Sequence, residues 1–265
     1  MDVSLSVRRI VFLVPLFFLI GLVACGDRFD LAKERGRRAR IDEANFFLSQ
    51  ENCGAAMEAI DPLFSSPHVD DEVRVIKSSA YACYGKFRLL TMASSISGTS
   101  NFFTGMVKAV IDGGGQGNFY SATDVITQNG ARLAADQRTS RENTYMVFLQ
   151  MGVIGSILKA YGSPDPSGAK TVALSYATGS NPAGEMENVD ACALTAALGI
   201  LSDSFNHSSL NDDDSTALKN SLNSICTGAG LSSCAVLNKD RSLCDGTNAS
   251  SVTAEAVVGG VNASW

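Results

Sequence analysis

Residues 41–64 read IDEANFFLSQENCGAAMEAIDPLF. Ile41, Ala44, Phe47 and Leu48 fall at i, i+3, i+6 and i+7, an apolar stripe at helical period, and Ala56, Ala59, Ile60 and Leu63 repeat it after the polar Glu51-Asn52. Pro62 predicts a kink or an approaching end for the second helix, because an interior proline removes a backbone donor. Ser65-Ser66-Pro67-His68 is a break. The run DDEVRVIKSSAYACYG, residues 70–85, then opens on acids suited to a helix N-terminus and closes on Gly85, a suitable residue just past a helix end.

Outward from this helical block, the glycine-rich residues 98–130 read as a loop insertion with one short apolar helix, Phe102 to Ile111. Residues 131–162 are helical, and Met146 to Gly162 (MVFLQMGVIGSILKAYG) is nearly apolar all round, as a buried central helix is. Ser163 to Gly168 is a loop, 169–178 a short helix and Gly179 to Gly184 a break. Val189 to Phe205 and Ser215 to Cys226 form two further helices around a polar turn at Asn206 to Asp214. No period-two alternation persists, so the expected fold class is all-α. The tail after Gly228 is small and polar, with one last weak helix.

The chain of 265 residues is 45% hydrophobic and 18% charged, too apolar for a disordered polypeptide and long enough to bury a sizeable core. A net charge of −6 argues against a general nucleic-acid binder, which needs a basic face to displace counterions. Ahead of the helical block, Arg8-Arg9 precede the charge-free run Ile10 to Ala24 (IVFLVPLFFLIGLVA). Fifteen residues of helix reach about 22 Å, short of a hydrocarbon core of about 30 Å. A basic start and a short apolar run mark an export signal.

That run ends Leu22-Val23-Ala24-Cys25, which resembles the lipobox of bacterial lipoproteins. The resemblance implies removal of residues 1–24 as a signal peptide, a diacylglyceryl group on the Cys25 thiol and acylation of the new amino group. Three acyl chains hold far more firmly than one. Loss of Asp2, Arg8 and Arg9 takes the net charge from −6 to −7. Gly26, rather than Asp, follows the lipidated cysteine; by the lipoprotein sorting rule this implies the periplasmic face of the outer membrane. Residues 25–40 then form the anchor and a basic linker. Its Lys33, Arg35, Arg37, Arg38 and Arg40 either lie on anionic head groups or begin a solvated helix.

Phe47 and Tyr81 are 34 residues apart, as are Cys53 and Phe87, and Ala44 is matched by the small Ser78. Thirty-four is the tetratricopeptide spacing, and over about 55 residues the chain resembles that family. Ala44, Phe47, Ala56, Ile60 and Leu63 fall where its motif takes small, aromatic, Ala, aromatic and small residues. Ala80-Tyr81, Gly85 and Phe87 fit the end of the first helix and the turn of a second unit. Departures are the lack of the motif tryptophan, Lys77 at an apolar position, Leu90 at the Ala position and Ser94 at the aromatic one. The resemblance implies antiparallel α-hairpins stacked as a short solenoid over 41–230, with 231–265 a disulfide-linked tail. Tyr81, Tyr84 and Phe87 then read as solenoid core.

Six cysteines follow Cys25, and an even number in an exported chain predicts three disulfides. Across an antiparallel hairpin, residues of equal index sum face each other. This sets Cys53 opposite Cys83 and Cys192 opposite Cys226, and leaves Cys234 with Cys244 in the tail.

Little else carries chemistry. Gly113 to Gly117 lacks the Gly-Lys-Ser/Thr of a phosphate cradle and reads as a flexible loop. Asp212-Asp213-Asp214 lacks a calcium loop and reads as a helix cap. His68 and His207 stand isolated, no C-x2-C spacing exists, and no GxSxG occurs, so neither a metal centre, a cofactor nor a catalytic site is expected. The expected role is a non-catalytic, lipid-anchored periplasmic scaffold or accessory protein that binds another envelope protein through a helical-repeat surface. The alternative is a small-molecule-binding or transporter-accessory lipoprotein with an apolar pocket near Met146 to Gly162. It resembles the tetratricopeptide lipoproteins that pair with periplasmic solute-binding proteins.

Overall fold

The computed structural model describes residues 30–65, 69–86, 101–110, 115–176, 185–210, 213–243 and 249–265. The fold is all-α. The helices, in chain order, are α1 Glu34–Ser49, α2 Cys53–Phe64, α3 Asp71–Tyr84, α4 Phe102–Ala109, α5 Gln116–Thr127, α6 Ser140–Gly162, α7 Asn188–His207, α8 Asp213–Gly228 and α9 Ala249–Ser264. The chain divides into two units, 1–69 and 70–265.

In the first unit α1 packs on α2. The helix α1 starts at Glu34, so Arg35 to Arg40 occupy its first two turns. Arg38 pairs with Asp42 at 3.2 Å and Arg40 with Glu43 at 3.0 Å, both at helical spacing. Both apolar stripes turn inward: Ile41 and Ala44 are buried, and so are Ala56, Ala59, Ile60 and Leu63. The Asn52 side chain accepts from the Ala55 N–H and starts α2. Pro62 lies inside the helix, which ends two residues later.

The second unit is built around α6, which touches α3, α4, α5 and α7. In turn α7 carries α8 and α9. This arrangement encloses a central helix instead of stringing hairpins in a row. In α3 the Asp70 carboxylate accepts from the Val73 N–H at 2.9 Å, and the buried Ser78 hydroxyl donates to the Ala122 carbonyl of α5 at 2.7 Å. Gly85 ends α3 with an ordinary φ of −73°; the left-handed turn falls on Lys86 at φ +55°. The glycine is needed for space, since a Cβ there would stand 3.0 Å from the Phe119 ring.

Several expectations give way. Residues 116–127 are not loop but helix α5, and Phe119, Ala122 and Ile126 on one face are part of the core. The glycines ahead hid a period that begins only after them. Of the Gly113 to Gly117 run, Gly113 and Gly114 lie outside the described residues, while Gly115 caps α5 and Gly117 is in its first turn. Of the helix expected over 169–178, residues 169–176 form none; Ser175–Tyr176 pairs in parallel with Glu185–Met186 in a two-stranded sheet, and 177–178 lie outside the described residues. The last helix expected in the tail is present as the sixteen-residue α9, whose Ala254, Val257, Val258 and Val261 are buried at helical spacing. Helix α8 opens at Asp213, inside the expected acidic cap. Tyr81 is partly buried against the core, Tyr84 is 48% exposed, and Phe87 lies outside the described residues.

Cys226 bonds to Cys234, eight residues on, which corrects both the expected Cys192–Cys226 and Cys234–Cys244 pairings. The cause is the turn after α8. Gly230 takes φ +79°, and the Leu231 N–H returns to the Cys226 carbonyl at 2.9 Å. The chain doubles back and brings Cys234 to Cys226, which leaves Cys192 to a partner other than Cys226. Cys53, Cys83 and Cys192 are also disulfide-bonded; Cys25 and Cys244 lie outside the described residues. Closing so short a loop is worth roughly 2–3 kcal/mol on the chain-entropy model. Cys226→Ser with Cys234→Ser is therefore expected to lower the denaturant midpoint by that equivalent, read by circular dichroism.

Candidate functional site

One face of α5 is apolar and turns to the core, as described. The next face carries Tyr120, Thr123, Asp124 and Thr127 at i, i+3, i+4 and i+7, and this polar stripe walls a cavity of about 260 Å³. The opposite wall is α7, where Ala193, Ala196, Ala197 and Ile200 keep the same spacing. Three alanines in four positions leave the volume that larger side chains would fill. From α6 come Gln150 and Val153, and the segment Lys239 to Ser242 closes the rim.

The rim is held by charge pairs. The Arg241 guanidinium donates to both oxygens of Asp124, at 2.9 and 2.7 Å, and stands 4.9 Å from the centre of the Tyr120 ring. Lys239 pairs with Asp203 at 2.9 Å, and the same carboxylate accepts from the Ala135 N–H at 2.9 Å. Burial acts to raise the Asp203 pKa, but these partners outweigh it and hold the carboxyl below its ordinary range. Beside the rim, Tyr120 and Tyr161 both donate to Asp190, at 2.9 and 2.7 Å. Burial, with Asp190 adding to it, pushes both phenols well above their ordinary value, so each stays a donor.

A second polar cluster sits at the start of α6. The Thr139 hydroxyl accepts from the Glu142 N–H, and the Glu142 carboxylate accepts from the Thr139 N–H, a reciprocal cap. Arg74 and Arg132 both donate to that carboxylate, whose side chain is 0% exposed. Next to it Arg138 bonds Asn143, Ser204 and two backbone carbonyls, and burial lowers its pKa to about 10. These bonds hold the 128–139 turn and α3 to the start of α6.

Among the residues singled out from sequence, Cys25, His68 and Asp212 lie outside the described residues. His207 ends α7 with its Nδ1 3.1 Å from the Asp203 carbonyl. No group of three His, Cys, Asp or Glu side chains is placed to hold a metal among the described residues, and no described helix is long and apolar enough to cross a membrane. Most of the Met146 to Gly162 helix is filled core; only Gln150 and Val153 reach the cavity, whose lining is mixed rather than apolar. Sequence reasoning passed over Gln150. The signal was present, a lone amide in an otherwise apolar run. No protein-family model, curated protein or solved structure matches the chain.

Proposed function

We propose that the protein is a lipid-anchored accessory protein on the periplasmic face of the outer membrane, held by acylated Cys25, that binds another envelope protein and performs no catalysis. The observation supporting this reading is the oxidised state of the cysteines downstream of the anchor, with Cys226–Cys234 bonded and Cys53, Cys83 and Cys192 also in disulfides. Disulfides persist in the periplasm and not in a reducing cytosol. Mass spectrometry of protein taken from envelopes is expected to find an amino terminus at Cys25 carrying a diacylglyceryl and an amide-linked acyl group. An uncut, unmodified terminus with free thiols overturns it. Photoreactive side chains at Phe46, Val189 and Val236, exposed at 60, 54 and 62%, test the partner in intact cells. A discrete adduct with one envelope protein is expected, and silence at all three positions removes the scaffold role. A second reading, small-molecule binding or a transporter-accessory role, is favoured by the cavity between α5, α6 and α7.

A further inference from the structure

Gln150 is 2% exposed, yet its amide is only half used. The Thr123 hydroxyl donates to the Phe119 carbonyl at 2.9 Å, so toward Gln150 it can only accept. That fixes the amide: Nε2 donates to Thr123 Oγ1 at 3.0 Å. The carbonyl oxygen, which accepts from none of the described residues, and the second N–H are left at the cavity wall. That edge faces the open cavity, where a ligand supplying the missing partners takes the place of water. An N–H beside a C=O is matched by a second amide edge, donor to acceptor and acceptor to donor.

The cations around the cavity are already paired. Arg241 is committed to Asp124 in a two-point pair, and Lys239 to Asp203. Asp240 accepts from the Ser242 N–H and hydroxyl, at 2.9 and 2.6 Å, and has no cation against it among the described residues. An anion entering here would meet one carboxylate and, among the described residues, no unpaired cation. Beyond the amide, α6 and α7 add hydrocarbon, with Val153 on one side and Ala196, Ala197 and Ile200 on the other, while the α5 wall and the rim are polar.

Resting on the small-molecule reading, we infer that this cavity takes an uncharged ligand that presents an amide edge to Gln150 and an apolar ring or chain to the alanine face of α7. The probe that isolates the chemistry is benzamide, set against benzoate, benzylammonium and ethylbenzene, with binding to the full chain followed by ligand-observed NMR and calorimetry. Benzamide is expected to bind, and Gln150→Leu to weaken it at least tenfold while leaving ethylbenzene unchanged. Ala196→Leu, which fills the cavity from the opposite wall, is expected to abolish both, and it carries the test should Gln150→Leu fail to fold. Benzoate or benzylammonium binding as well as benzamide, or benzamide held undiminished by Gln150→Leu, overturns the amide inference and leaves the cavity reading intact. No binding of any probe at millimolar concentration overturns both.

Discussion

Replacing Glu142 by alanine is expected to lower stability by about 3–5 kcal/mol, the cost of breaking a buried ion pair from one side. Its carboxylate receives Arg74 Nε at 2.5 Å and Arg132 Nη1 and Nη2 at 3.0 and 2.7 Å, and the two guanidinium side chains are only 12 and 17% exposed. The alanine variant takes from both guanidinium groups, each mostly buried, the carboxylate they share. It also removes half of the reciprocal cap at Thr139. Glu142→Gln keeps the shape and some of the bonding, so it falls between the two in urea denaturation followed by circular dichroism. The group also sets a pH limb. Burial alone raises its pKa, but bonds from Arg132, the Thr139 N–H and Arg74 outweigh burial and hold it below the ordinary 4.5. With the folded pKa below the unfolded one, its contribution is complete above the ordinary glutamate range and is lost as pH falls through the folded value. Below about pH 4.5 the wild type should therefore lose stability more steeply than Glu142→Gln. Parallel acid limbs would contradict the assignment.

Phe119→Ala is expected to cost a similar amount, in the upper part of the roughly 3–5 kcal/mol seen for buried aromatic truncations. The ring is 0% exposed, and its neighbours on one side are the backbones of Gly85 and Gly115. A Cβ built on either glycine would lie 3.0 or 3.4 Å from ring carbons. Those glycines have no side chain with which to fill the hole, so relaxation recovers little. Phe119→Leu combined with Gly85→Ala should then be more stable than the sum of the two single changes predicts, since the new methyl group enters the space the ring left. Additive unfolding free energies in that cycle would show that the site collapses by backbone movement instead.

The helices with an uninterrupted apolar stripe were legible in the sequence, and the four positions Ala56, Ala59, Ile60 and Leu63 are all buried. One helix was obscured by composition and another gave only a weak signal. In α5 the glycines at its start masked Phe119, Ala122 and Ile126, and in α9 the run of small residues weakened the contrast between its buried alanine and valine stripe and its other faces. The cysteine pairing failed for a different reason. Index sums assume that chain reversal happens between helices, whereas the left-handed Gly230 reverses it within four residues of Cys226. The cavity follows from three alanines and one glutamine on separate helices. That juxtaposition exists only after α5, α6 and α7 have packed, so no local pattern announces it.

The rim segment from Cys234 has only two short 3-10 turns, Cys234–Val236 and Arg241–Leu243, yet it is fastened to the rest of the unit along its length. Cys234 ties it to Cys226, Leu237 is buried near Gly199, and Lys239 and Arg241 reach Asp203 and Asp124. A covering strand of this kind is usually ordered by whatever it covers, and that ordering subtracts from affinity. Here the entropy has already been surrendered during folding and oxidation, so a guest meets a preorganised wall and keeps more of its contact energy as affinity.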